Sequence, residues 1–326
     1  MFCFKCGSKL PEGSVFCFSC GAKLPTIENG NSVSEEQEEA SMDIGYEDEL
    51  TEFVSDEDDD YEDDYDDEDD YDDDRIIPRS VFKADRNVLK EWIEERADDV
   101  DYFTLPDTVK KIHREAFWNF QALESFVVPD SVTEIGGSAF SDCTNLESIE
   151  LPDSLTEISS SAFARCKSLK NIDIPYSVNK IGNYAFSSCE SLVNIDIPDS
   201  VTEIGKMAFA MCKSLEDINI PDGITVIGDN MFSFCTSLED IEIPDSVTKI
   251  DEKAFWHCDS LESVEIPDSV TMIGELAFAC CQSLEYIRIP DSVKKIGKGA
   301  FIDCVNLDDE VRRELRRRFG KSIFNI

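Results

Sequence analysis

A 23-residue motif repeats nine times without a slip, and this constrains the fold more than any other feature of the sequence. Its consensus reads L-x-x-I-x-I-P-D-S-V-T-x-I-G-x-x-A-F-x-x-C-x-S. A proline column runs from Pro106 to Pro290, and a phenylalanine column from Phe117 to Phe301. A fixed period of this size is typical of solenoids, in which each unit buries its apolar face against its neighbours. The repeat therefore predicts a solenoid over residues 105–305.

Each unit is predicted to contain two short extended segments followed by a turn. In the unit that begins at Leu215, the apolar Ile218 and Ile220 alternate with polar residues, which is the period of a strand. Proline ends that strand because it has no N–H to donate. A second extended segment follows at V-T-x-I. We expect left-handed turns at the glycine column, where His113 and Asp251 also tolerate that conformation and Ser159 fits it worst. With A-F-x-x-C as about one helical turn, the prediction is an α/β repeat with a parallel sheet.

The strand half of the motif follows the outline L-x-x-L-x-L of leucine-rich repeats. After the strand, the serine of P-D-S-V stands where those repeats usually have Asn or Cys. The order I-P, I-G, A-F and C, kept over the repeat region, closely resembles the BspA-like leucine-rich-repeat family. This resemblance implies a right-handed, curved solenoid that binds proteins. Many relatives of that type are exported surface proteins.

Helices are predicted to cover both ends of the solenoid, because the terminal units would otherwise expose their core. In the N-terminal cap region, residues 75–104, Asp85 precedes a stripe of apolar residues: Val88, Leu89, Trp92 and Ile93. In the C-terminal cap, residues 306–326, Gly320 follows a helix with one apolar face: Leu307, Val311, Leu315 and Phe319. The arginines of its last turn suit the helix dipole, although they could instead receive an acidic segment.

Residues 1–24 contain two similar segments, F-C-F-K-C-G-S-K-L and F-C-F-S-C-G-A-K-L, which resemble the short zinc ribbons at the starts of many bacterial proteins. Paired C-x-x-C motifs are typical of a tetrahedral zinc site. We predict one structural Zn²⁺ bound by four thiolates: Cys3, Cys6, Cys17 and Cys20. A redox C-x-x-C pair is the alternative. The segment is too short for its own core, so the metal must supply most of its folding free energy.

Residues 25–74 are predicted to form a disordered acidic linker. The net charge of the chain is −41, and the stretch between Lys23 and Arg75 holds 26 acidic residues with no Lys or Arg. Charge repulsion and low hydrophobicity oppose a packed fold. The linker is interpreted as an extended spacer. Its alternative role is an acidic arm for a basic partner, with interspersed tyrosines: Tyr61, Tyr65 and Tyr71.

A second set of cysteines falls in one column of the repeat, from Cys143 to Cys304. A column of aligned thiols could indicate a metal site or disulfide bonds. We favour core packing, because a free cysteine behaves as a small buried apolar residue. Cys280 lies outside the column and is expected to be more exposed and more reactive.

The outward positions of the predicted strands carry the best candidate for a functional surface. Of the two histidines, His113 and His257, neither belongs to a catalytic motif, and no phosphate-binding loop follows a strand. We therefore predict a non-enzymatic protein whose acidic strand face binds a basic protein or peptide. The candidate binding residues are Glu150, Asp173, Asp196, Asp217, Asp240, Glu242 and Glu265.

Charge and hydropathy also bear on partners and location. A polyanion disfavours contact with nucleic acid and with anionic membranes. No stretch has the apolar length of a signal peptide core or a membrane span, so a cytoplasmic location is expected. Two alternatives stay open. One is an exported adhesin of the BspA-like type, and the other is a nucleic-acid-associated protein that acts through the zinc ribbon.

The zinc site generates the first testable prediction. Purified full-length protein should contain about one zinc per chain, and Cys17→Ser should lose it because three thiolates bind zinc less tightly than four. Metal analysis of freshly purified protein measures this. The circular dichroism of the solenoid should be unchanged in the variant. Protein that is free of zinc as purified would contradict the ribbon.

Overall fold

The computed structural model describes residues 103–105, 109–121 and 123–325, all of which belong to one compact unit, Asp73–Ile326. The predicted zinc ribbon, residues 1–24, and the acidic linker, residues 25–74, lie outside the described residues. So does most of the N-terminal cap region, including the helix predicted after Asp85.

The described part of the chain forms short strands of two or three residues that alternate between two rows. In chain order they are β1 Phe103–Thr104, β2 Lys111–Ile112, β3 Ser125–Val127, β4 Glu134–Ile135, β5 Ser148–Glu150, β6 Glu157–Ile158, β7 Asn171–Asp173, β8 Lys180–Ile181, β9 Asn194–Asp196, β10 Glu203–Ile204, β11 Asp217–Ile218, β12 Val226–Ile227, β13 Lys249–Ile250, β14 Ser263–Glu265, β15 Met272–Ile273, β16 Tyr286–Arg288 and β17 Lys295–Ile296.

Every paired strand is parallel to its partner and offset from it by one repeat unit, as in the pair Ile149 and Ile172. The first row contains the sheet β1-β3-β5-β7-β9-β11 and the pair β14-β16. The second row contains β2-β4, β6-β8-β10 and β12-β13-β15-β17. Most units therefore add one strand to each row, and the predicted parallel-sheet solenoid is confirmed.

The A-F-x-x-C segments are turns and not helical turns, so the prediction of an α/β repeat was wrong for the repeats themselves. An α-helix requires each N–H to bond four residues back in its own chain. Here the donors alternate. The Ala139 N–H bonds the Gly136 carbonyl three residues back, at 3.2 Å, whereas the Phe140 N–H bonds Ala162 in the next unit, at 2.9 Å. The bonds to the next unit interrupt any helical ladder.

The glycine column is explained by close approach between units and not, as predicted, by left-handed backbone. Among the described glycines, only Gly299 and Gly320 have positive φ. A Cβ placed on Gly205 would lie 2.4 Å from the backbone nitrogen of Asn183 in the preceding unit. The left-handed positions are two other columns, which hold ordinary side chains such as Ser138 and Asp142, with φ of 55° and 63°. Their cost is offset by the hydrogen bonds to the next unit.

The second row is interrupted at two places, and at both the residue of the glycine column makes a different contact. Replacement of the glycine does not always interrupt the row, because the N–H of Asp251 keeps the ladder bond to the Ile227 carbonyl at 2.8 Å. Between β4 and β6, Ser159 occupies the glycine column, and its hydroxyl donates to the Ile135 carbonyl at 2.6 Å. Between β10 and β12 the approach is looser, because a Cβ on Gly228 would find its nearest atom, in Met231, at 3.5 Å. Where the glycine contact is tight, as at Gly205, the glycine N–H continues the ladder by bonding the Ile181 carbonyl at 2.8 Å.

Columns of identical side chains fill the core between the two rows. All nine phenylalanines of the Phe117 to Phe301 column are fully buried, and successive rings stack with centroids 4.9 to 5.7 Å apart. The serine of P-D-S-V also has a repeated role, because in six units its hydroxyl bonds a carbonyl of the preceding unit. Ser200, for example, donates to Val178 at 2.6 Å. Gly223 replaces this serine in one unit and lacks the donor.

The predicted C-terminal helix is present as α1, Asp309–Phe319. The side chain of Asp308 caps it by accepting from the N–H groups of Glu310 and Val311, and Gly320 ends it at a φ of 87°. Leu307 and Leu315 are buried, while Val311 and Phe319 are partly buried against the core. The apolar face thus covers the last unit, as predicted.

A short 3₁₀ helix after α1, Ser322–Phe324, completes the C-terminal cap. Phe324 lies one full repeat period after Phe301 and packs against its ring at 6.1 Å. The Phe301 N–H bonds the Ile323 carbonyl at 2.8 Å, as if a tenth unit followed. Arg316 lies over the Phe324 ring at 5.1 Å, which favours the capping interpretation of the arginine cluster. The sequence analysis missed this remnant because only Gly320 and Phe324 keep the consensus.

The glycine contact predicts different effects of one substitution at two sites. Gly205→Ala should lower the free energy of unfolding by about 1–3 kcal/mol, because its Cβ meets rigid backbone in the preceding unit. Gly228→Ala adds the same methyl group where space exists, and it should change stability by less than about 1 kcal/mol or raise it. Urea unfolding of the two variants measures this. Equal losses would contradict the close-approach explanation.

Candidate protein-interaction surface

The seven acidic residues predicted to face outward are all exposed. We call them the acidic strand face: Glu150, Asp173, Asp196, Asp217, Asp240, Glu242 and Glu265. They follow from the alternation within each strand. In β7, for example, Ile172 is buried while Asn171 and Asp173 on either side are exposed. The structure therefore places these seven side chains on the outward side of the first row, and their role in binding stays a prediction.

Parallel register brings the carboxylates of this face into line. Asp173 and Asp196 are direct partners in the pairing of β7 with β9, and Asp217 pairs with Asn194 in the next step. Adjacent strands lie about 4.8 Å apart, so the like charges of Asp173 and Asp196 repel each other. None of the seven carboxylates forms an ion pair with another described residue. Their charge is therefore not compensated within the described part of the chain.

Asp240 and Glu242 lie on the same face but not on a strand, which corrects the prediction for that unit. Residues 240–242 of that unit form no strand pairing with β11 or β14. Its Ile241 N–H bonds the side chain of Asp240, with Oδ1 at 2.9 Å, so this donor is not available to a sheet ladder. Ile241 is nevertheless 4% exposed, and the core column continues past the interruption.

A further acidic column, which the sequence analysis did not single out, runs beside this face. Its residues directly precede the outward strand positions, and four successive units carry an exposed glutamate there: Glu216, Glu239, Glu262 and Glu285. Their backbone N–H groups bond the unit before, as Glu262 bonds the Glu239 carbonyl at 3.2 Å. Writing the sequence with one repeat unit on each line would have revealed this column. It widens the negative surface towards the C-terminal units.

The negative charge of the acidic strand face ends at an uncharged residue on one side and at a positively charged residue on the other. Val127, in β3, pairs with Glu150 and begins the column with an uncharged residue. At the other end, Glu265 pairs with Arg288, whose guanidinium lies 3.3 Å from Asp268. Tyr286, beside Arg288, is 48% exposed. The uncompensated negative charge therefore spans the central units.

A second group of polar contacts lies on the left-handed turns. Arg165 binds Asp142 through two hydrogen bonds, of 2.7 and 3.0 Å, and the Trp118 indole donates to the same carboxylate at 3.0 Å. Burial raises the pKa of Asp142, but the hydrogen bonds and the charge of Arg165 outweigh this and leave its pKa below the usual value. This network fastens three neighbouring units to one another.

The corresponding turns of three later units bring an aromatic ring, an imidazole and a thiol together. The ring of His257 stacks on Phe234 with centroids 4.7 Å apart, and its Nδ1 lies 3.3 Å from Oδ1 of Asp259. Cys280 occupies the same left-handed position in the next unit, with a φ of 61°. Burial lowers the pKa of His257, but the neighbouring side chains of Asp259 and Cys280 outweigh this and raise the pKa to about 9.

The eight cysteines of the core column, Cys143 to Cys304, are buried and hydrogen-bonded, which supports the packing interpretation. Each thiol donates to a phenylalanine carbonyl 26 residues back, at 3.0 to 3.2 Å, as Cys212 does to Phe186. Burial raises the pKa of Cys143, Cys212 and Cys304 to about 12 and that of the other five well above the usual value. These thiols are therefore protonated at neutral pH. Cys280 is partly exposed, as expected.

The predicted zinc ligands Cys3, Cys6, Cys17 and Cys20 lie outside the described residues, so the ribbon stays a prediction. Within residues 103–105, 109–121 and 123–325, no group of three or more His, Cys, Asp or Glu side chains is arranged to bind a metal ion. Of the helices in this same part of the chain, none has both the length and the apolar composition needed to cross a lipid bilayer.

Comparisons with known proteins agree with the repeat architecture. The profile of the BspA-type leucine-rich repeat region, which contains six copies, matches residues 95–216 and 202–325. No curated protein matches the chain at a significant level.

Similar solved structures include three bacterial proteins. A leucine-rich repeat protein from Bacteroides ovatus is 28% identical, covering 68% of this chain and 76% of its own, with a TM-score of 0.41. One from T. pallidum is 30% identical, covering 69% and 86%, with a TM-score of 0.38. The pneumococcal vaccine antigen PcpA is 20% identical, covering 71% and 80%, with a TM-score of 0.41. Because the family profile spans well over half of the chain, from residue 95 to residue 325, the protein belongs to the BspA-type leucine-rich repeat family.

Proposed function

We propose that this protein is a non-enzymatic interaction protein whose acidic strand face binds a basic protein or peptide. The observation that carries the proposal is the row of exposed carboxylates without ion-pair partners among the described residues. Such a row is costly for a purely structural surface, because neighbouring like charges on a sheet destabilise it. A bound cationic partner would remove that repulsion.

The electrostatics of the surface favour recognition through the rate of association. Single exposed ion pairs contribute little to affinity. Several aligned charges of one sign add their potentials and steer a partner of opposite sign towards the surface. The column Glu216, Glu239, Glu262 and Glu285 extends this field beside the strands. We therefore expect a partner with several spaced Lys or Arg residues, bound more weakly as salt is raised.

The zinc ribbon and the location complete the proposal. We propose that Cys3, Cys6, Cys17 and Cys20 hold one structural zinc, which four thiolates would leave without an open catalytic position. We also propose a cytoplasmic location, where reducing conditions keep thiols free. Support comes from the free thiols of the described residues. Fractionation of cells tests the location, and recovery of the protein in the surface fraction would favour the exported-adhesin alternative.

The acidic strand face predicts the effect of a double charge reversal. Immobilised full-length protein should capture basic proteins from a cell extract at low salt and release them at high salt. Asp173→Lys with Asp196→Lys should slow association with the captured partner on the order of tenfold, while dissociation changes less. Surface plasmon resonance measures both rates.

A matched control separates a local effect from a change in net charge. Glu157→Lys with Glu275→Lys makes the same charge change at two exposed residues away from the acidic strand face, and it should slow association much less. Deletion of residues 25–74 tests the other acidic element. If the deletion abolishes binding and the reversal at Asp173 and Asp196 has no effect, the linker is the binding element and the proposed face is wrong.

A further inference from the structure

The second row of strands ends at β17 with an open edge in the described part of the chain. The last sheet of this row has the order β12-β13-β15-β17, so β17 pairs with β15 and with no other described strand. In the preceding unit, the Ile273 carbonyl accepts from the Gly297 N–H at 2.8 Å. The equivalent carbonyl of the last unit, on Ile296, has no described strand beside it. Ile296 is also only partly buried, whereas Ile273 is fully buried.

The C-terminal cap closes other parts of the last unit but not this edge. On the side of the first row, Arg318 donates to the Ile289 carbonyl at 2.6 Å. Gly320 stands one repeat period after Gly297, but its N–H bonds the Arg316 carbonyl within α1, at 3.0 Å, and does not continue the second row. The edge of β17 is therefore left as a template on which another chain can pair.

The second row itself shows which side chain suits a strand beside β17. It pairs a lysine with a glutamate directly across neighbouring strands at two places: Lys111 with Glu134 at 2.8 Å, and Lys180 with Glu203 at 3.5 Å. Lys295 occupies the same column of the repeat. Its neighbour on β15 is Met272, and it forms no ion pair with any residue that the structure describes. A carboxylate on an added strand would give Lys295 the partner that the other two lysines have.

We propose that the open edge of β17 binds an extended acidic segment of a partner protein as an additional parallel strand, with a carboxylate of that segment beside Lys295. Such strand addition gains affinity from main-chain hydrogen bonds and specificity from side chains. The expected sequence follows the repeat, V-x-E-I-G, because its Val and Ile would continue the columns of Val293 and Ile296. The exposed Lys294 adds positive charge there. The same lysines disfavour pairing with a second basic edge, because like charges on adjacent strands repel.

A peptide copied from the second row serves as the probe in the test. It has the sequence of residues 199–205, D-S-V-T-E-I-G, with blocked termini, and a matched peptide has lysine in place of the glutamate. Titration into isotope-labelled full-length protein is followed by NMR, in which the amide signals of residues 293–297 should shift. Wild type should bind the glutamate peptide at least about threefold more tightly than the lysine peptide, and Lys295→Glu should reverse the preference.

Two controls separate strand addition from general attraction between charges. Lys110→Glu makes the same charge change at an exposed residue of the first unit, and it should leave both affinities unchanged. A glutamate peptide that ends in N-methylglycine lacks the N–H for the Ile296 carbonyl, so it should bind about threefold to tenfold more weakly. An unchanged preference in Lys295→Glu would overturn the proposal, and so would equal binding of the methylated and unmethylated peptides.

Other occupants of the edge give different results in the same experiment. Binding that appears only after deletion of residues 25–74 would assign the edge to the acidic segment of this chain. Dimers that form without peptide and are lost in Lys295→Glu would assign it to a second copy. Either result contradicts a separate acidic partner. Neither bears on the acidic strand face, which belongs to the first row and is tested at Asp173 and Asp196.

Discussion

The structure depends on one constraint, which is that each unit is hydrogen-bonded to its neighbour in a register of one repeat period. Parallel pairing repeats at about 4.8 Å, so side chains contact their equivalents in the next unit. Where the consensus residue is apolar, this produces a continuous core column such as the stacked phenylalanines. Where the residue is polar and shielded from solvent, as for the column cysteines and six of the P-D-S-V serines, it donates to a carbonyl of the preceding unit. The same register thus stacks the apolar side chains and provides hydrogen-bond acceptors for the polar ones.

The same register explains why the surface carries unusual groupings of charge. A solvent-facing position is repeated in every unit, so a preference for Asp or Glu becomes a row of like charges on the first row of strands. Asp173 and Asp196 show this most directly, as paired residues on adjacent strands. On the turns, the same logic places His257 beside Cys280. The solenoid therefore presents the acidic strand face on an open surface and not in a closed pocket.

Two of the three interruptions of the rows lie in one region of the solenoid. The second row is broken between β10 and β12, next to Gly228, and the first between β11 and β14, where Asp240 bonds the Ile241 N–H. Gly223 lies in the same region and replaces the serine whose hydroxyl, in other units, bonds a carbonyl of the preceding unit. Ile241 and Ile243 stay buried across the break. Side-chain columns thus carry the solenoid through units whose backbone ladders are incomplete, because apolar burial does not require ladder geometry.

The sequence by itself determined the period, the parallel solenoid, the buried columns, the exposure of the acidic residues and the C-terminal helix. These follow from hydrophobic alternation and helix capping, which are local patterns. Only the tertiary structure decided the conformation of A-F-x-x-C, the reason for the glycine column and the tenth phenylalanine at Phe324. Each of these depends on a neighbouring unit. The Phe140 N–H bonds Ala162, a Cβ on Gly205 would meet Asn183, and Phe324 packs on Phe301. Contacts between units set the backbone there, and local propensity could not reveal them.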